Sequence, residues 1–404
     1  MHEDRILSGM RPTGKLHLGN YHGALKNWVN LQHDYESFFM VADWHALTTA
    51  YDKTANIAND TFDLVIDWLA AGIDPEKSAI FLQSHVIEHA ELHLLLSMIT
   101  PNGWLERVPT YKDQQANLAD KDLSTYGFLG YPLLQAADIA LYRAGWVPVG
   151  EDQIPHVEFT REIVRRFNHV FGREPDFEEK ALMAAKKMGN KNAKQYLNYR
   201  TKYQEQGDDS SLNSAKEMLL SQQNLNADDK ERLLGYLEGT GKTILVEPEV
   251  LLTKAAKMPG LDGRKMSKSY GNTISLRESD ESITQKIKKM PTDPARIRRD
   301  DPGDPAKCPV WQFHQVYSDE KTCQWVQTNC KTAGIGCLDC KQPVIDGVLA
   351  EIQPIRARAQ KYIDNPQLVQ DVLQKGCVKA RKKAQETMQD VRLAIGLDYP
   401  FAPR

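Results

Sequence analysis

The chain has 404 residues, 41% of them hydrophobic and 26% charged, with a formal net charge of −3 at pH 7. No apolar run approaches the roughly 18 residues that a membrane span requires, which excludes a helical integral membrane protein. The near-neutral total hides two basic segments: residues 264–299 hold ten Lys/Arg against four Asp/Glu, and residues 356–383 hold eight against two. Two such segments in the C-terminal third read as a footprint for a polyanion. A first strand reached within five residues of the start leaves no room for a signal or transit peptide, so a cytoplasmic location is expected.

Arg5-Ile6-Leu7 reads as the first strand, and Tyr21 to Leu31 carries Leu25, Trp28 and Leu31 at helical spacing. Between them lies Ser8-Gly9-Met10-Arg11-Pro12-Thr13-Gly14-Lys15-Leu16-His17-Leu18-Gly19-Asn20. This is a strand–turn–helix connection with glycines where the backbone bends or passes close to something. A helix start behind such a turn suits an anion, because free N–H groups and the helix dipole point at it. The turn is neither Gly-x-Gly-x-x-Gly nor a Walker A loop, and Gly239-Thr240-Gly241-Lys242-Thr243 fails as Walker A because Tyr236 stands where glycine is needed.

Ser37 to Asp43 predicts a second strand, with Asp43-Trp44-His45 at its C-terminal end, where open α/β sheets place their chemistry. Thr54 to Ala71 predicts a helix, Ala79 to Leu82 a third strand and Glu88 to Ile99 another helix. Tyr131 to Tyr142 predicts a buried helix that carries Asp138, a carboxylate that is costly in apolar surroundings unless something donates to it. Val147-Pro148-Val149 runs as a strand into Gly150-Glu151-Asp152-Gln153, and Thr243 to Val246 returns to a strand pattern. The alternation predicts an α/β fold with a doubly wound parallel sheet, interrupted by a polar, mostly helical insertion over 173–241.

Lys265-Met266-Ser267-Lys268-Ser269, bounded by Gly263 and Gly271, reads as a mobile loop carrying two ammonium groups. With His17-Leu18-Gly19-Asn20 it makes the chain resemble the class I aminoacyl-tRNA synthetases, whose two signatures these segments match. Ala42-Asp43-Trp44-His45-Ala46, Tyr131 to Ile139 and Val147 to Gln153 narrow the resemblance to the tryptophanyl enzymes.

The resemblance implies ATP-dependent activation of L-tryptophan, with Mg²⁺ accompanying ATP, and transfer to tRNA(Trp) by a homodimer, without membrane or DNA. It implies a Rossmann-like catalytic domain over 1–172 and 242–277, split by the 173–241 insertion, a C-terminal all-helical domain for the anticodon end of tRNA over 278–404, and catalysis by His17, Asn20, Lys265 and Lys268. The ATP site would comprise Arg11, Thr13, Gly19, Asn20, Gly150, Asp152, Lys265, Met266, Ser267, Lys268 and Ser269. The tryptophan site would comprise Gly9, His45, Tyr131, Gln135, Asp138, Val149 and Gln153, with Asp138 accepting the indole N–H. Such a carboxylate rejects side chains that leave it unpaired. A tyrosyl enzyme shares both signatures. A tRNA-binding paralogue with reduced catalysis is the alternative outside enzymology, and the intact His17, Lys265 and Lys268 speak against it.

All six cysteines lie beyond residue 307, and in a reducing compartment such clustering favours metal over disulfides. Cys330, Cys337 and Cys340 with Cys308 suit zinc or a [4Fe–4S] cluster. Some tryptophanyl enzymes carry the latter on Cys-x22-Cys-x6-Cys-x2-Cys, whereas the first gap here is 21 residues. That shortfall leaves Cys323 as an alternative first ligand.

Overall fold

The computed structural model describes residues 4–109, 124–172, 176–252 and 258–399. Five parallel strands, β1 (Arg5–Met10), β2 (Glu36–Val41), β3 (Ser78–Leu82), β4 (Trp146–Val149) and β5 (Glu249–Leu252), form one sheet in the order β3-β2-β1-β4-β5. Strand β2 is buried over Ser37–Val41 and pairs in register on both sides, Phe39 with Ser8 and with Ile80. A sheet covered on both faces needs such continuous apolar strands. The order reverses between β1 and β4, and the crevice beyond their C-terminal ends is where this topology places a ligand.

The last strand lies six residues beyond the predicted one. The Thr243–Val246 segment makes no ladder, because Asn168 supplies its hydrogen bonds instead. The Asn168 Oδ1 accepts from the N–H groups of Ile244 and Leu245 (both 3.0 Å), and its Nδ2 donates to the Leu245 carbonyl (2.8 Å). The first helix also departs from regularity: it begins at Leu18, and Tyr21–Leu25 forms a π turn before Lys26–Leu31.

The four helices Phe177–Lys187, Asn190–Gln206, Asp209–Ser221 and Ala227–Glu238 close a small apolar core of their own around Tyr196, Ala215, Leu219 and Leu233. The long C-terminal helices behave differently. Helix Cys337–Asp364 shares a core with Leu64, Trp68 and Ile80, and helix Pro366–Ala394 shares one with Phe81, Leu92 and Tyr142. The latter lies directly on β3. A Cβ at Gly376 would stand 1.8 Å from the Ile80 carbonyl oxygen, so only glycine permits this approach. Cys377, which sequence leaves without a partner, accepts the Leu82 N–H at 3.4 Å. The helix thereby covers an exposed sheet edge.

Candidate active site

A cavity of about 380 Å³ opens in the crevice between β1 and β4. Its wall contains Gly9, His45, Tyr131, Gln135, Asp138, Val149 and Gln153, together with Arg11 and Gly150. Gly9 comes from β1, Val149 from β4, and His45 from the helix Asp43–Ala50 that follows β2. Tyr131, Gln135 and Asp138 descend one face of helix Tyr131–Leu141. Met40, Ile139 and Val147 supply apolar wall between these polar groups.

Asp138 is 1% exposed, and the structure shows which groups make its burial tolerable. His45 Nε2 donates to Oδ2 at 2.8 Å, and His89 Nδ1 donates to Oδ1 at 2.6 Å. Gln83 Nε2 donates to both oxygens, at 2.9 and 3.1 Å. Burial pushes this carboxylate up, but the charges and donors of His89 and His45 outweigh it and hold the group well below the usual carboxylate range. Sequence reasoning missed Gln83 and His89. Gln83 follows β3 directly and His89 sits in the first turn of helix Glu88–Ser97, so only the polar cluster at a strand's C-terminal end signals them. His156, also in the cavity wall, is lowered to about 4 by burial first and then by His45.

The two signature segments are clipped together beside this cavity. The Leu18 N–H donates to the Ile274 carbonyl, and the Leu276 N–H to the Leu16 carbonyl, both at 3.0 Å. The Gly19 N–H points at Met266 Sδ (3.3 Å), and a Cβ on Gly19 would come within 2.9 Å of the His17 ring and 3.1 Å of Met266. Lys268 Nζ donates to the Thr13 carbonyl at 2.5 Å, closing the lysine loop onto the glycine turn. Burial lowers the Lys268 ammonium from its ordinary value, while Asp60, Asp67 and Asp63 oppose that shift. His17 is lowered to about 4, by burial and then by Lys268, so it is neutral at pH 7. Its buried Nδ1 has no hydrogen-bond partner among the described residues. Asn20 Oδ1 accepts the His17 N–H at 3.2 Å. Ser267 and Ser269 join their hydroxyls at 2.9 Å, Gln153 donates to Asp152 at 3.1 Å, and Lys265 is exposed.

In the C-terminal region, Cys308, Cys330, Cys337 and Cys340 are electrostatic neighbours of one another. Burial raises the Cys330 thiol, which Cys308 and Cys337 push further, and raises Cys340 to about 12 with the other three contributing. Cys323 is elsewhere, with its Sγ toward the carbonyls of His314 (3.6 Å) and Ser318 (3.8 Å). Two cations adjoin the four thiols: Arg296 reaches Cys330 Sγ at 3.9 Å, and buried Lys341 has Cys337, Cys308 and Cys340 as charge neighbours. Among the described residues, no three His, Cys, Asp or Glu side chains close on one point as ligands of a metal ion.

A doubly wound sheet, a cavity at its switch point and two interlocked signature loops give the architecture of a nucleotide-dependent α/β enzyme. The family model for class I tRNA synthetases (W and Y) matches residues 2–198 and 228–351, and the chain belongs to that family. It is 64% identical over 399 residues to a tryptophan–tRNA ligase of Ralstonia nicotianae, covering 99% of this chain and 100% of the relative. It is 45% identical over 397 residues to that of Thermotoga maritima, covering 98% and 100%. Among solved structures it resembles tryptophanyl-tRNA synthetase of Campylobacter jejuni complexed with ADP and tryptophan. There the TM-score is 0.72 at 30% identity, with 97% of this chain and 100% of that chain covered.

Proposed function

We infer that the protein activates L-tryptophan with ATP and transfers it to tRNA(Trp), releasing diphosphate and AMP. The observation that carries this reading is the cavity at the β1/β4 crevice, whose wall combines apolar surface with one buried, ionised carboxylate. An indole presents one N–H donor and no acceptor, which matches that carboxylate. The tryptophan carboxylate attacks the α-phosphorus of ATP, the bond to the bridging oxygen breaks, and diphosphate leaves. A ribose hydroxyl at the tRNA 3′ end then attacks the carbonyl of the adenylate, and AMP leaves. No protein nucleophile is required; positioning and electrostatic stabilisation carry the rate.

In this reading Asp138 accepts the indole N–H, with Gly9, His45, Tyr131, Gln135, Val149 and Gln153 completing the tryptophan site. Arg11, Thr13, Gly19, Asn20, Gly150 and Asp152 line the path of ATP, with Met266, Ser267 and Ser269 of the lysine loop. Neutral His17, with its unpartnered Nδ1, suits a hydrogen bond to the nucleotide rather than a proton transfer. Lys268, partly desolvated and already reaching across to Thr13, suits the negative charge that develops on departing diphosphate. Lys265 extends from the same loop to meet it. Mg²⁺ accompanies ATP, as a hard cation does when phosphates supply its ligands.

The catalytic unit is assigned to 1–172 and 242–277, with 173–241 inserted and 278–404 serving the anticodon end of tRNA. The same reading takes the protein to be a cytoplasmic homodimer, which the resemblance to the family supports. No described helix is long and apolar enough to cross a membrane. Cys308, Cys330, Cys337 and Cys340 suit a [4Fe–4S] cluster. Supporting this are the three other thiols that Cys340 has as charge neighbours and the two cations that would balance anionic thiolates. When bound, such a cluster crosslinks the C-terminal helices and supplies no step of the reaction.

ATP–diphosphate exchange measured with tryptophan, tyrosine and phenylalanine tests the assignment. Exchange with tryptophan alone is expected. Exchange with tyrosine in its place would reassign the specificity, and none with any amino acid by folded protein would remove the catalytic reading.

A further inference from the structure

His89 and Tyr142 form a buried chain behind Asp138 to which no role has been given. Both are fully buried, and neither lines the cavity. His89 Nδ1 lies 2.6 Å from Asp138 Oδ1 and Nε2 lies 2.8 Å from Tyr142 Oη. An ionised carboxylate only accepts, so Nδ1 carries a proton toward Asp138, while Nε2 shares a hydrogen bond with the Tyr142 hydroxyl. The ring is therefore held from both ends. Helix Glu88–Ser97, which carries His89, is itself clamped to the C-terminal helix by Arg381–Glu88 (3.2 Å) and Arg392–Glu91 (2.6 Å).

A carboxylate has about four acceptor sites. Four donor contacts reach Asp138, two on each oxygen, and the longest is that of Gln83 Nε2 to Oδ2 at 3.1 Å, which an indole N–H can replace while Gln83 keeps Oδ1 at 2.9 Å. We propose that His89, fixed by Tyr142, is a positioning residue for side-chain selection: by holding Oδ1 at 2.6 Å it orients the Asp138 carboxylate so that Oδ2 can take the indole N–H. Without it the carboxylate can rotate about its own axis, and water or another donor takes the vacated site. This rests on the assignment of Asp138 as the indole acceptor.

The test compares tryptophan with β-(3-benzothienyl)alanine, in which sulfur replaces the indole N–H, by ATP–diphosphate exchange on the full-length protein. The native protein is expected to favour tryptophan by roughly ten- to a hundredfold in kcat/KM. His89→Leu is expected to erase most of that preference by lowering the tryptophan value, leaving the analogue value and the KM for ATP within about twofold. His89→Asn, whose amide can occupy the Nδ1 position, is expected to restore it. Tyr142→Phe, a smaller change should His89→Leu fail to fold, is expected to lower the preference severalfold. Equal losses on both amino acids, or an unchanged preference in both variants, would overturn the role of His89. No preference in the native protein would instead overturn the reading of Asp138 itself.

A second surface stands on a separate observation. Residues 180–204 contain seven Lys/Arg and no Asp/Glu. Ala193 and Tyr196 turn helix Asn190–Gln206 into the core of the insertion, which leaves Lys191, Lys194 and Lys202 exposed on the opposite side. At about 100° per residue these three fall within about 80° of one another along roughly 16 Å, with exposed Glu205 on the same side at the C-terminal end of the helix. None of them, nor neighbouring Lys186, has an acidic partner among the described residues, whereas Lys187 pairs with Asp229 at 2.7 Å. We propose that this stripe binds RNA phosphates of the tRNA substrate. Replacing Lys191, Lys194 and Lys202 by Gln is expected to weaken tRNA binding at least about tenfold at low salt and flatten its log–log salt slope by roughly two to three units. Tryptophan-dependent exchange should be unchanged. Unaltered tRNA affinity and slope would overturn it, as would loss of binding to anionic vesicles with tRNA binding intact.

Discussion

Asp138→Asn changes one oxygen of a buried carboxylate to an amide nitrogen at almost constant volume. Three donors face that group at 2.6–3.1 Å. An amide offers one acceptor oxygen and one donor, so its NH2 must confront either His89 Nδ1–H or His45 Nε2–H. One N–H is left buried and unpaired, and the surviving bonds lose their charge assistance. Hydrogen bonds to charged groups contribute about 1.5–3 kcal/mol and a stranded buried donor costs about 1–3 kcal/mol. The fold should lose about 2–4 kcal/mol, read from urea unfolding. On the proposed assignment of Asp138 as indole acceptor, the same change removes that charged acceptor, so kcat/KM for tryptophan should fall roughly ten- to 150-fold in ATP–diphosphate exchange. The KM for ATP should hold, because the signature loops do not touch Asp138. A folded variant that keeps its tryptophan kcat/KM within twofold would refute Asp138 as the indole acceptor. Equal losses for tryptophan and ATP would point to collapse of the crevice instead.

Acid should destabilise the protein well above the carboxylate range. His17, His156 and His314 are each lowered to about 4, mainly by burial, so between pH 6.5 and 4 the unfolded chain binds more protons. Their contribution is present above pH 6.5 and is lost as pH falls toward 4. Asp67, raised to about 6 by burial, acts in the opposite sense over part of that window. The urea midpoint should therefore drop between pH 7 and pH 5, and His156→Gln should lessen the drop; a flat profile would contradict it. Gly376→Ala, which in an ordinary helix interior stabilises, should here cost about 1–3 kcal/mol, because the new Cβ meets the Ile80 backbone. An unchanged thermal midpoint would mean the helix can lift from β3 at no cost. On the proposed [4Fe–4S] reading, Cys308→Ser should reduce bound iron and the visible absorbance of anaerobically purified protein, while Cys323→Ser should leave both intact. Retention of metal in the first and loss in the second would reverse the ligand assignment, and zinc in place of iron would change the metal.

Much of this protein is legible from local pattern. Apolar runs bounded by glycine and proline mark β1 to β4, and the two signature loops stand in the chain as contiguous residues. A lone carboxylate in the apolar helix Tyr131–Leu141 is visible as an anomaly, because burial without a donor is costly whatever the fold. The identity of its donors is not visible. His45, Gln83 and His89 are separated from Asp138 by 93, 55 and 49 residues, and no local periodicity encodes which of them arrives. The same holds for Thr243–Val246, whose strand-like composition yields to Asn168, a residue 76 positions away that satisfies its backbone first. Cysteine spacing alone left Cys308 and Cys323 as rivals. The structure turns Cys323 toward the carbonyls of His314 and Ser318, and makes Cys308 a charge neighbour of Cys330 and Cys340. Sequence thus determined the order of elements and the chemistry on offer, because both are set by short-range sterics and side-chain type. Tertiary structure decided which polar groups meet in the dark, because hydrogen bonds in a buried site depend on contacts that only the finished sheet and its covering helices create.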